Sequence, residues 1–251
     1  MTSLPDGAEF HPAVEATWPP SSASRLGPWT IRKGPGGKRV SAATAEAPFR
    51  PEDVARAERA MERIGQQPLF MIRDGDADLD AALAAAGYGI VDPTLLYAIP
   101  ASALADRPLP PASAFRIWPP LAIMRELWAA GGIGPDRLGV MDRAAEPRTA
   151  LLARMDDRAA GCAFVACRGD CAMIHAIEVA PPMRRKGVAS NLLRSAAFWA
   201  QDRGAACLAL AVTRANGAAR SLYASLGLAV VGQYHYRARP RSARMRRRIR
   251  Q

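Results

Sequence analysis

The segment Ile177-Glu178-Val179-Ala180-Pro181-Pro182-Met183-Arg184-Arg185-Lys186-Gly187-Val188-Ala189 constrains the fold of this chain more than any other. The apolar run Cys171–Val179 reads as a buried strand. Two prolines then stop its pairing, and a basic turn with one glycine opens directly into a helix from about Arg185 to Arg203. Proline removes a ladder donor, so the strand that follows is expected to splay away and leave a cleft. Backbone N–H groups at the helix N-terminus, with no side chain at Gly187 and a small one at Ala189, form a pocket for an anionic phosphate. Arg184, Arg185 and Lys186 add positive charge beside it. The competing reading is an ordinary strand–turn–helix junction with solvated arginines.

Around this segment the periodicity alternates between strand and helix. A helix over Leu121–Trp128 is broken by Gly131-Gly132-Ile133-Gly134-Pro135, and strands follow at Ala150–Arg154, Gly161–Cys167 and Cys171–Val179. After the helix come strand Cys207–Val212, helix Asn216–Leu226 and strand Val230–Tyr236. In the first half, Trp29–Arg32 and Arg39–Thr44 read as a hairpin around Pro35-Gly36-Gly37-Lys38. A helix opened by Pro51-Glu52-Asp53, a strand Leu69–Ile72, a helix Leu79–Ala86 and a strand near Thr94–Ile99 complete that half. The expected fold class is α/β, with a mixed, mostly antiparallel sheet and helices on both faces. The expected organisation is a loose or partly helical lead-in (1–24), a first half (25–106), a Pro-rich linker (107–111), a second half (112–237) and an Arg-rich tail (238–251).

A second informative element lies about thirty residues beyond the basic turn. Asn216-Gly217-Ala218-Ala219-Arg220-Ser221-Leu222-Tyr223-Ala224-Ser225-Leu226-Gly227-Leu228 is a capped helix with Tyr223 one turn before its glycine-marked end. Together the two elements resemble the GCN5-related N-acetyltransferase (GNAT) superfamily. Its signature (Gln/Arg)-x-x-Gly-x-(Gly/Ala) is matched by Arg184, Gly187 and Ala189. The pattern Asn-x-x-Ala-x-x-x-Tyr-x-x-x-Gly-(Phe/Leu) is matched by Asn216, Ala219, Tyr223, Gly227 and Leu228. The resemblance covers about residues 112–237.

The resemblance implies acetyl-CoA as co-substrate and an amine acceptor, either a small molecule or a protein N-terminus. It implies that backbone groups from Ile177 to Val179 hold the acetyl group and pantetheine arm. Amides of Arg184, Arg185, Lys186, Gly187, Val188 and Ala189 would hold the pyrophosphate. Asn216 would contact the cofactor arm, and Tyr223 would face the sulfur. An amine must be neutral to attack, so a base is required; His175 and Glu178 are the candidates on the strand entering the loop. Strand alternation sets those two on opposite faces. In many relatives a strand Glu takes the proton, on the face that carries His175 here. The rival reading is a catalytically silent binding protein of the same fold that uses its basic tail for a nucleic-acid or ribosomal partner.

The first half reads as a shortened relative. Trp18-Pro19-Pro20 and Trp118-Pro119-Pro120 lie 100 residues apart, while Gly87 and Gly227 lie 140 apart, each closing a short Ala-rich helix. That half has no Arg-x-x-Gly-x-Gly turn, and Leu83 stands at the position of Tyr223. The expectation is a tandem whose N-terminal half has lost the cofactor site.

Charge and cysteine usage complete the reading. Eight of the arginines fall in residues 237–251 with no acid among them, and without these eight the net charge drops from +11 to +3. The tail is expected to be solvated, with RNA or DNA binding as the alternative. Cys162, Cys167, Cys171 and His175 flank one hairpin, but they contain no C-x-x-C pair and alternation scatters them, so no metal site is expected. The four cysteines do not make a disulfide framework, no apolar run approaches a membrane span, and no secretory signal is visible. A cytoplasmic, bacterial-type enzyme is the expectation.

Overall fold

The computed structural model describes Leu4 and residues 10–240. Its elements run α1 (Phe10–Thr17), β1 (Ser22–Leu26), β2 (Trp29–Lys33), β3 (Thr44–Ala45), α2 (Pro51–Arg63), β4 (Leu69–Arg73), α3 (Ala77–Ala85), β5 (Gly89–Pro100), α4 (Ala101–Leu104) and β6 (Ala114–Ile117). They continue with α5 (Ala122–Ala130), α6 (Pro135–Arg143), β7 (Arg148–Met155), β8 (Arg158–Arg168), β9 (Cys171–Val179), α7 (Val188–Asp202), β10 (Cys207–Thr213), α8 (Gly217–Ser225) and β11 (Ala229–Ala238). No described helix is long and apolar enough to cross a membrane.

Contacts divide the chain into two compact units that do not follow the two halves of the sequence. One unit holds α1 and Thr94–Gln233; the other holds Pro20–Pro93 and the end of β11 from Tyr234. In the first unit the strand order is β11-β5-β10-β9-β8-β7-β6. Strands β9 and β10 run parallel. The pairs β10–β5, β9–β8, β8–β7 and β7–β6 are antiparallel. Helix α7 packs on one face of this sheet against β7, β8 and β9, while α1 and α5 pack against β8 and β9. Alternation along β8 explains the two layers. Ala163, Val165 and Cys167 join the core under Leu192, Leu193 and Ala196 of α7. Cys162 and Phe164 turn the other way, toward Met124 of α5 and Trp18 after α1.

In the second unit β1, β2 and β3 form a small antiparallel sheet. Strand β4 pairs antiparallel with Tyr234–Ala238 of β11. Trp29, Met61, Phe70, Leu79 and Leu83 form the core of this unit.

Several local expectations are corrected. The strand partner of Trp29–Lys33 is Ser22–Leu26, joined through Gly27 with φ +58°. Of the expected Arg39–Thr44 strand only Thr44 pairs with β2, followed by Ala45, because Gly36 and Gly37 at φ +107° and +124° lead into a tight 3₁₀ turn at Lys38–Val40. Within the lead-in, residues 10–17 are helical and Ser22 already begins a strand. Residues 1–3 and 5–9 lie outside the described residues, as do the tail arginines at 241, 244, 246–248 and 250. The match between Trp18-Pro19-Pro20 and Trp118-Pro119-Pro120 is not structural, since the first follows a helix and the second precedes one. The 140-residue offset is structural. It maps α3 onto α8, and Gly87 and Gly227 both adopt φ +82°. Both helices end in the same pair of bonds, Gly87 N to Ala84 O and Tyr88 N to Leu83 O, and Gly227 N to Ala224 O and Leu228 N to Tyr223 O, each 3.0 Å long. These are left-handed glycine caps that satisfy the last carbonyls.

Candidate active site

Strands β9 and β10 pair only at Cys171–Met173 and Cys207–Ala209, and then part. The parting begins well before Pro181, so proline is not its cause. Along the other edge of β9 the register shifts: Phe164 opposes His175, whereas Cys162 opposes Glu178. Two residues of β9, Ala176 and Ile177, therefore face Ala163 alone. This is a β-bulge, with Ala176 at φ +51°. For a residue with a Cβ that conformation costs about 1–2 kcal/mol. A bulge bends its strand and re-aims the side chains beyond it.

The bulge overturns the expectation that His175 and Glu178 occupy opposite faces. Simple alternation over three residues separates them, and the extra residue brings them back to one side. His175 packs 5.0 Å from the Trp18 ring, and Glu178 lies against Gly131 just after α5. Ile174, Ile177 and Val179 turn to the α7 side.

Between the parted strands lies a cleft of about 820 Å³. Ile177, Glu178 and Val179 form its strand wall, while Met183, Arg184, Arg185 and Gly187 form the loop. Val188, Ala189 and Ser190 open α7 beneath it. Asn216, Ala219, Leu222 and Tyr223 of the α8 segment close the opposite side. The loop is built by Ala180 N–H bonding Ala160 O at 2.9 Å and by a 3₁₀ turn at Pro181–Met183. Gly187 then takes φ +87° as the N-cap of α7, where a Cβ would be strained although nothing lies within 4 Å to block it. No side chain caps α7, and its first turn contains no acid. Its leading N–H groups, which have no carbonyl partner within a helix, are thus presented to the cleft as an anion-binding end.

Eight of the nine sequence-predicted cofactor residues line this cleft, together with Tyr223 and Glu178. Lys186 does not; its ammonium turns to Asp156 Oδ2 at 3.9 Å. Arg184 lines the cleft but folds back, donating from Nε to Val179 O at 3.1 Å and from Nη2 to Glu178 Oε1 at 3.2 Å. The anion end is therefore less charged than the run Arg184-Arg185-Lys186 suggests. Asn216 lines the cleft and caps α8 by accepting Ala219 N–H on Oδ1 at 3.1 Å. His175 is buried and is not among the lining residues. Thr17 Oγ1 donates its one proton to Ala13 O at 2.7 Å, so at 2.9 Å it accepts from His175, and Nε2 carries the proton.

Tyr223 is 7% exposed, with its ring 5.6 Å from that of Tyr97 on β5. Burial, with Tyr97 adding to it, pushes the Tyr223 hydroxyl up to about 12. Desolvation disfavours the phenolate, so the group stays a proton carrier across the neutral range. Sequence reasoning missed Tyr97 and Gly131. Tyr97 comes from the first half of the chain, and only its pairing opposite Leu210 in β10 brings it here. A Cβ on Gly131 would sit 2.3 Å from Glu178 Oε2, so this glycine makes room for the carboxylate. All four cysteines are buried free thiols, and among the described residues no group of three or more His, Cys, Asp or Glu is placed to hold a metal ion.

Comparison with known proteins agrees with this geometry. The model of the acetyltransferase (GNAT) family matches residues 121–228. A GCN5-related N-acetyltransferase from Kribbella flavida is similar in structure, with a TM-score of 0.72 and 19% identity over 95% of this chain and 97% of that one. A functionally unknown conserved protein from Staphylococcus epidermidis gives 0.65 and 12% over 86% and 92%. A tandem GNAT protein from the clavulanic acid biosynthesis pathway gives 0.56 and 13% over 89% and 85%. Comparison with curated proteins gives no match. At these identities the structures speak for the fold, and with the sequence match they lead to one conclusion: residues 121–228 form a domain of the acetyltransferase (GNAT) family.

Proposed function

We propose that this protein is an N-acetyltransferase that moves an acetyl group from acetyl-CoA to an amine, either a small molecule or a protein N-terminus, by direct attack. The observation that carries the reading is the parting of β9 and β10 over an uncapped helix N-terminus, with a buried tyrosine on the facing helix. The residues fit the co-substrate. The amides of Gly187, Val188 and Ala189 and the side chain of Arg185 suit its pyrophosphate. The edge of β9 from Ile177 to Val179, unpaired on the β10 side, suits an amide-bearing arm.

Acetyl-CoA supplies an activated acyl group, and in the reaction a C–N bond forms as the C–S bond breaks. Glu178, on the acceptor side of β9 with its side chain 16% exposed, is positioned to take the proton that the amine must lose. Arg184 holds that carboxylate from the loop at 3.2 Å. Tyr223 gives a proton or hydrogen bond to the departing thiolate, whose charge is costly in a partly dry cleft. His175 keeps a wall of this strand in place. The residues beneath the cleft make no covalent bond with the acyl group in this scheme.

The test is turnover of acetyl-CoA against a mixed amine panel, read by mass spectrometry, alongside thermal stabilisation by CoA. Acetylated product together with stabilisation is expected. Neither effect at millimolar CoA overturns the reading.

A further inference from the structure

The bulge at Ala176 sets both sides of the site. It turns the Ile177 and Val179 side chains to the α7 side and the Glu178 carboxylate toward the end of α5, against Gly131. It is also strained, and strained backbone persists only where its surroundings over-determine it. Trp128, fully buried on α5, supplies that restraint: its indole N–H donates to Ala176 O at 2.8 Å. The residue before the bulge is held independently, with His175 bonded to Thr17 and packed against Trp18.

We infer that Trp128 is a positioning residue for acetyl transfer, its indole N–H holding the Ala176 bulge so that Glu178 and the Ile177–Val179 edge keep their facings. The inference rests on the acetyl-transfer reading above, and Trp128 itself touches no reacting atom. A period-two strand that slips by one residue exchanges its faces, so loss of the bulge would turn the Glu178 side chain to the α7 side and the apolar pair away from it. The first turn of α7 is built by Gly187 and the loop before it, not by Trp128. Losing the indole donor should therefore lower kcat, while the helix end proposed for the pyrophosphate keeps its shape and acetyl-CoA binding weakens only through the displaced Ile177–Val179 edge.

Trp128→Phe is expected to reduce kcat about ten- to hundred-fold, the range for small misplacements of reacting groups. The KM for acetyl-CoA should rise by a smaller factor than kcat falls. Adding Ala176→Gly should recover most of the lost rate, because glycine takes the left-handed conformation without strain. Deleting a methyl at 176 cannot refill a cavity at 128, so rescue separates positioning from packing. Should Trp128→Phe fail to fold, β-(3-benzothienyl)alanine at 128 keeps the bicyclic shape and replaces the N–H by sulfur. Hydrogen–deuterium exchange of residues 174–179 gives a readout without turnover: faster in either donor-free variant, slowed again with Ala176→Gly. A wild-type protein inactive on acetyl-CoA overturns the acetyl-transfer reading, and exchange then judges the Trp128–Ala176 lock alone. An active wild type whose donor-free variants keep kcat and exchange unchanged overturns the Trp128 inference. A kcat loss that Ala176→Gly does not relieve overturns it too.

Discussion

The junction between β9 and α7 and the junction between β3 and α2 occupy the same place in two successive runs of strand, helix, strand, helix and strand. Each precedes a parallel neighbour: Cys171–Met173 beside β10, and Ala43 bridged to Phe70 of β4. Their chemistry is opposite. Helix α7 opens on Gly187 with no side-chain cap and no acid in its first turn. Helix α2 opens on Pro51, which has no N–H, followed by Glu52 and Asp53. Asp53 Oδ2 accepts the Arg50 N–H at 2.9 Å, so a carboxylate already occupies that helix end. At the end of β3, Glu46 pairs with Arg73 at 3.3 Å. Burial works against its charged form, but the Thr44 hydroxyl and Arg73 outweigh it and hold the carboxyl below the ordinary range. One helix further on, Leu83 stands fully buried where Tyr223 faces the cleft. Acids in a first turn stabilise a helix by about 0.3–1 kcal/mol each, and the same charge repels a phosphate. The first-half junction thus has the same order of elements, and its helix end is filled by residues that repel an anion.

Importing the first-half chemistry into the second should give the largest effect. Gly187→Glu puts a carboxylate, on a strained left-handed residue, where the pyrophosphate is proposed to sit. Acetyl-CoA affinity should fall by about two orders of magnitude or more while the fold survives, the size expected when an unpaired like charge faces a charged ligand. Unchanged affinity by calorimetry would remove the phosphate assignment. The same titration of the wild type should give one acetyl-CoA per chain, and a stoichiometry near two would break the comparison outright.

Tyr223→Phe follows in size. It keeps the ring against Tyr97 and removes the proton donor, so kcat should drop about ten- to several-hundred-fold. Acetyl-CoA affinity and Tm should hold. Because the Tyr223 hydroxyl is pushed up to about 12, its protonated form persists as pH rises. Any alkaline loss of rate below about pH 10 should therefore survive in the variant and belong to another group. Retention of kcat within two-fold, with chemistry rate-limiting, would mean that solvent protonates the thiolate.

Gly131→Ala should act more mildly, lowering kcat about three- to ten-fold by pushing the Glu178 carboxylate aside, in line with the cost of imperfect placement. A fall in kcat without change in acetyl-CoA affinity would tie that loss to Glu178. An unaffected rate would show that Glu178 has slack to move. Removing residues 241–251 should have the smallest effect, with turnover on a small amine staying within a few-fold, since β11 ends at Ala238. Complete loss of activity in a folded protein would assign the tail to the site.

Short-range features were legible in the residues because short-range rules govern them. The glycine at 187, the asparagine cap at 216 and the helix period of Val188, Leu192, Leu193 and Ala196 each declare a local backbone state, and two such states at the right spacing locate a cleft. The repeat of Gly87 at Gly227 likewise foretold two helices with identical ends. What contact decides was hidden. Alternation placed His175 and Glu178 on opposite faces, and only the bulge at Ala176, braced by an indole 48 residues earlier in the chain, turns them to one side. A run of three basic residues does not say that two of them turn to carboxylates at Glu178 and Asp156. Nor does the chain announce that Thr94–Pro100 of the first half completes the sheet around β10, or that Tyr234–Ala238 of the second half pairs with β4. Strand pairing joins backbone groups that carry no residue identity. Which distant segments meet is therefore settled by which edges remain open once the local pieces have formed.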